Sequence, residues 1–101
     1  MAKKKIRIEW GVEASRHFDE LLEYLYHESE RAASIVGNAI LNEIEKMADH
    51  PTAYPLDRLK KHNDGNYRVC IIYNHRISYY ADSNVIYILR IRHTSREPLE
   101  H

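Results

Sequence analysis

Four arginines, Arg68, Arg76, Arg90 and Arg92, lie in one stretch whose other residues belong in a sheet, RVCIIYNHRISYYADSNVIYILRIRH at 68–93. Lys60 and Lys61 precede it and Arg96 follows it. A guanidinium stays charged at physiological pH and presents a planar fork of donors that fits a phosphate or a carboxylate. Such a set can hold an anion, or stabilise charge developing on a phosphoryl group. His93 titrates in the neutral range and is a candidate proton donor or acceptor. Strand parity aims it at the core side, which favours an edge or buried histidine bonded to backbone. His75 reads as a turn residue. The single Cys70 has no histidine placed to activate it and reads as a small residue on the sheet.

Alternation sorts these side chains between two faces. Three β-rich segments, Tyr67–Ile72, Arg76–Ala81 and Val85–His93, are separated by Tyr-Asn-His and Asp-Ser-Asn and predict an antiparallel meander. Three-residue loops keep parity matched across both hairpins, so that Val69, Ile71, Ile77, Tyr79, Leu89 and Ile91 share the packed face. All four arginines then share the other face. Two-residue loops would turn arginines toward the core, at a hydrophobic cost. No Asp or Glu falls on the arginine face within these segments apart from Asp82 at a turn. Cross-strand acids would normally relieve such a cluster, so an anionic partner is the expected alternative.

The remaining elements must supply that packed face. Lys5-Ile-Arg-Ile-Glu-Trp10 alternates apolar and charged residues, the period of a half-buried strand. From Val12 to about His27, Phe18, Leu21, Leu22 and Leu25 recur at helical spacing. Ser29 is positioned to cap a second helix running to about Asp49, with Ala33, Val36, Ile40, Ile44 and Met47 as its stripe. His50-Pro51 closes it, because a residue before proline leaves the helical region. Two helices joined by two or three residues form an antiparallel hairpin. Thr52 to Gly65 is a polar connection ending in the turn signal Asp64-Gly65.

The whole chain bounds the reading. Its 101 residues suit one domain with one core. Leu99-Glu-His101 reads as the scar of an expression tag, leaving 1–98 as the domain. No apolar run approaches the ~20 residues of a membrane helix. One cysteine cannot form an internal disulfide, which fits a reducing cytoplasm. The formal net charge of zero hides an asymmetry. Residues 11–50 hold three basic and nine acidic residues, a net of −6, while 1–10 carry +3 and 51–98 carry +4.

A strand, a helical hairpin and a meander in this order resemble the RelE/ParE toxins of type II toxin–antitoxin (plasmid stabilisation) modules. The resemblance rests on Ser-Glu-Arg-Ala-Ala33 opening the second helix, His50-Pro51 closing it, His75-Arg-Ile-Ser-Tyr79, and Leu89-Arg-Ile-Arg-His93 followed by Arg96-Glu-Pro98. It covers Lys5 to Pro98. It implies an α+β fold with the helices on one face of a mainly antiparallel four-stranded sheet, the N-terminal strand joining the meander's edge. It implies a cytoplasmic toxin that needs no metal or cofactor, paired with a cognate antitoxin in a hetero-oligomer. One branch of the family is a ribosome-dependent mRNA endoribonuclease. On that branch Arg76, Arg96 and Arg68 are the catalytic cations, Arg90, Arg92, Lys60 and Lys61 bind RNA phosphate, and His93 is the acid or base. That branch carries a further lysine where this chain has Cys70, and a tail tyrosine that this chain lacks. The reading leans toward that branch. The alternatives are a ParE-like inhibitor that binds DNA gyrase, and a non-toxic member that binds only its antitoxin.

Overall fold

The computed structural model describes residues 6–95, so Arg96 and the 99–101 segment lie outside the described residues. The chain runs β1 (Arg7–Trp10), α1 (Val12–Glu28), α2 (Glu30–Asp49), β2 (Tyr67–Ile72), β3 (His75–Ala81) and β4 (Val85–His93). The strands form one sheet in the order β1-β4-β3-β2. β1 pairs parallel to β4, and the two meander pairs are antiparallel. Parallel pairing requires a crossover, and the helical hairpin supplies it. The α+β class and the edge position of β1 therefore match the expectation.

A single residue, Ser29, turns the helical hairpin, where two or three were expected. Its extended backbone (φ −170°) ends α1 and starts α2. Its N–H donates to the Leu25 carbonyl at 2.8 Å, and its hydroxyl accepts from the Ala32 N–H at 3.1 Å. One residue thus satisfies groups at both helix ends. Ile40, Ile44 and Met47 of the stripe pack in the core with Ile77, Tyr79, Ile86, Ile88 and Ile91 of the sheet, and Ala33 is buried as its spacing requires. Where β1 passes into α1, Gly11 lies so close to β4 that a Cβ would meet the Ile88 carbonyl at 3.0 Å.

The strand faces depart from simple parity at both hairpins. β2 and β3 are joined by only two residues, Tyr73 and Asn74, with φ of 48° and 63°. A two-residue turn with both φ positive matches the right-handed twist of the flanking strands. It pairs Ile72 with His75, Cys70 with Ile77 and Arg68 with Tyr79. In the second hairpin Ala81 pairs with Ile86 and Tyr79 with Ile88, but Ile77 pairs with Ile91 across a register shift after Ser78. This bulge inserts one residue into β4. The helix side therefore receives Arg68, Cys70 and Ile72 from β2, Ile77, Tyr79 and Ala81 from β3, and Ile86, Ile88 and Ile91 from β4. The expected single face of four arginines is corrected: Arg76, Arg90 and Arg92 share the far face, and Arg68 lies on the helix side.

Candidate binding face

Arg68 escapes the core by its length. Its Nη1 donates to the Tyr54 carbonyl at 2.6 Å, so the stem lies on apolar surface while the head meets a backbone acceptor. Nearby, the Tyr79 hydroxyl donates to the Pro51 carbonyl at 3.2 Å and the Tyr54 hydroxyl donates to Glu43 at 2.7 Å. The Cys70 thiol faces the same Glu43 carboxylate at 3.6 Å. Burial, and then the Glu43 charge, push the Cys70 thiol up to about 11. Burial also raises the Tyr54 and Tyr79 hydroxyls, with the Glu43 hydrogen bond adding to the effect at Tyr54. Low thiolate content makes Cys70 a poor nucleophile. This cluster ties α2 and the 51–57 segment to β2.

On the far face, a carboxylate enters from outside the three strands. Asp57, from the polar connection, donates its N–H to the Tyr67 carbonyl at 2.9 Å, and the Val69 N–H donates to the Pro55 carbonyl at 3.0 Å. This short pairing along the outer edge of β2 places the Asp57 carboxylate under Arg76, with Arg76 Nη2 to Oδ1 at 2.5 Å. Asp57 is 2% exposed, and the same oxygen also accepts from the Leu59 N–H at 2.9 Å. Asn63 clamps the loop by donating to the carbonyls of Asp57 and Tyr67, at 3.2 and 2.9 Å. Lys60 sits 4.6 Å from the centre of the Tyr67 ring, a cation–π contact. Lys61 is exposed on the same loop. Sequence periodicity could not reveal Asp57, because a single β-bridge within an irregular loop has no repeat.

Arg90 and Arg92 differ from Arg76. Each is half-buried on the far face, and neither has a hydrogen bond or ion pair within the described residues. Arg92 lies directly opposite Arg76 and Arg90 directly opposite Ser78. Like charges facing across strands are unfavourable, so Arg92 gains no relief from Arg76, whose guanidinium is already bonded to Asp57. Tyr67, Tyr80 and Tyr87 run in register across the same face, the first two rings 5.4 Å apart and edge-on. The far face thus has a tyrosine row at one end and an arginine row at the other.

His93 lies on the helix side, away from Arg76, Arg90 and Arg92. It is exposed, pairs with His75, and its Nδ1 accepts the Ser95 N–H at 3.0 Å. A different histidine, missed in the sequence, has a structural task. β1 ends opposite Ile88, and beyond it the Ile91 N–H donates to His17 Nδ1 at 3.2 Å. Burial, then the Arg16 charge, lowers the His17 pKa. Among the described residues, no group of three or more His, Cys, Asp and Glu is arranged to hold a metal ion, and no helix is long and apolar enough to cross a membrane.

A two-layer α+β fold, with a helical hairpin crossing between parallel β1 and β4, frames this face. The family model for the ParE toxin of type II toxin–antitoxin system, parDE, matches residues 8–98, and the chain belongs to that family. A solved structure titled as the chromosomal ParDE TA system from P. aeruginosa superposes with a TM-score of 0.68 at 13% identity, covering 88% of this chain and 96% of that one. At that identity the likeness speaks for the fold. No curated protein matches this chain.

Proposed function

We propose that this ParE-family toxin acts by binding a protein target, with DNA gyrase as the target the family resemblance implies, and that an antitoxin of the ParD type is its partner. The observation carrying this reading is the separation of the two described catalytic candidates. Arg68 and Arg76 lie on opposite faces of the sheet, and each is bonded internally, to the Tyr54 carbonyl and the Asp57 carboxylate. RNA cleavage through a neighbouring hydroxyl needs cations converging on one phosphate, with an acid and a base in reach. Here His93 is on the other face from Arg76, and Cys70 stands where a lysine would be needed. A binding toxin needs only a presented surface. The half-buried Arg90 and Arg92 of β4 offer one to acidic side chains. The proposed site of action is the cytoplasm.

The test adds purified protein in parallel to a gyrase supercoiling reaction and to a translating extract. Inhibited supercoiling with intact mRNA is expected. Exchanging both Arg90 and Arg92 for Gln should weaken that inhibition by roughly tenfold or more, the loss of charged hydrogen bonds at an interface. Cleaved mRNA with unimpaired supercoiling would replace this reading with the nuclease one, in which Arg76, Arg96 and Arg68 bear on the phosphate.

A further inference from the structure

We infer that His75 and His93 form a two-histidine site for a divalent transition-metal ion at the open end of the sheet, apart from the proposed binding face. The backbone sets their closeness. The Thr94 N–H donates to the Asn74 carbonyl at 2.8 Å, which makes 74 and 94 a hydrogen-bonded pair. Hydrogen-bonded and non-hydrogen-bonded pairs alternate in an antiparallel ladder, and side chains approach most closely at the latter. His75 and His93, the next pair in the register, take that closer position. Their ring centres are 5.1 Å apart, with the planes at 84°.

The tautomers are partly set as well. His75 Nδ1 lies 2.8 Å from the Tyr73 carbonyl, an acceptor, so Nδ1 carries the proton and Nε2 keeps its lone pair. A second hydrogen bond of this kind characterises metal-ligating histidines. His93 Nδ1 accepts the Ser95 N–H and lies 2.7 Å from the Ser95 hydroxyl. When its Nε2 binds a metal, the ring proton moves to Nδ1, which then donates to that hydroxyl oxygen. This exchange costs one backbone hydrogen bond and a ring rotation, both affordable at an exposed turn. The spacing fits: with the metal about 2.1 Å from each nitrogen and hence about 3.2 Å from each ring centre, a tetrahedral angle separates the centres by about 5.2 Å. Two neutral imidazoles suit Zn²⁺, Ni²⁺ or Cu²⁺ rather than Mg²⁺ or Ca²⁺, and water fills the remaining positions.

The experiment is a zinc titration of the full chain followed by NMR of the imidazole resonances. The His75 and His93 signals should move together at a common midpoint, with the other five histidines unchanged. His93→Ala removes an exposed side chain and leaves the fold, checked by circular dichroism. Losing the chelate should weaken zinc binding at least about tenfold, and Mg²⁺ at the same concentration should move neither signal. Independent midpoints for the two rings, unchanged affinity in His93→Ala, or no zinc-dependent shift up to millimolar metal would each overturn the site.

Discussion

Removing Arg76 should destabilise the fold markedly, because it takes the partner from a buried carboxylate. The Asp57 side chain is 0% exposed and that of Arg76 19%, so the pair is substantially withdrawn from solvent. Deleting one partner of a buried pair costs about 3–5 kcal/mol, whereas replacing the pair as a whole is far less costly. Because Arg76 keeps some exposure, about 3 kcal/mol is the appropriate end of that range. Against a folding stability of about 5–15 kcal/mol this is a large share, equivalent to a fall in Tm of roughly 12–24 °C for a domain of this size. The perturbation is Arg76→Ala, alone and combined with Asp57→Asn, which removes the charge but keeps an acceptor for the Leu59 N–H. Urea unfolding followed by the fluorescence of Trp10, which lies 5.3 Å from Phe18, reports the fold. The double variant should recover more than about 1 kcal/mol relative to Arg76→Ala, the coupling expected of contacting residues. A loss below about 1 kcal/mol in Arg76→Ala, or no recovery in the double variant, would refute the ion pair as an anchor of the 57–67 loop. Loss of toxicity in Arg76→Ala would then need a stability control before it spoke to the target.

His17 makes stability pH-dependent. Its folded pKa is lowered, chiefly by burial, below the ordinary 6.5. Protonation therefore favours the unfolded chain, and stability is full above that ordinary value and falls as pH drops through it toward the folded pKa. His75, also lowered by burial, contributes with the same sign. Urea midpoints measured from pH 7.5 to 5 should decline, and His17→Asn should flatten the slope while retaining an acceptor for the Ile91 N–H; an unchanged slope would remove His17 from that role. Cys70, with its thiol raised to about 11, should alkylate slowly at pH 8 until urea exposes it. Cys70→Ser should leave growth arrest intact, and complete loss of arrest would give the thiol a function.

The elements were legible because their signals are local. Helical spacing in α2, the cap at Ser29 and the proline after His50 each depend on a few neighbouring residues, and all agree. What one sequence hides is register. Parity assigns faces only after every turn length and bulge is known. Tyr73 illustrates the difficulty, since a tyrosine at positive φ does not advertise a two-residue turn as Asn-Gly would. The bulge beside Leu89 and Arg90 carries no glycine to mark it. Asp57 and His17 were hidden for another reason: their partners, Arg76 and Ile91, are distant in sequence and are met only through tertiary packing.

Register also decides which chemistry this sheet can support. Composition alone offers four arginines, enough to clasp a phosphate. The two-residue turn takes Arg68 to the helix side, and the bulge keeps Arg90 and Arg92 in line with Arg76. Asp57 then engages Arg76, leaving Arg90 and Arg92 two positions apart along β4, neither in a hydrogen bond or ion pair among the described residues. Such a pair is poorly arranged to surround a phosphorane but well arranged to meet acidic side chains of another protein. The fold permits either outcome, and one residue in a turn and one in a strand separate them.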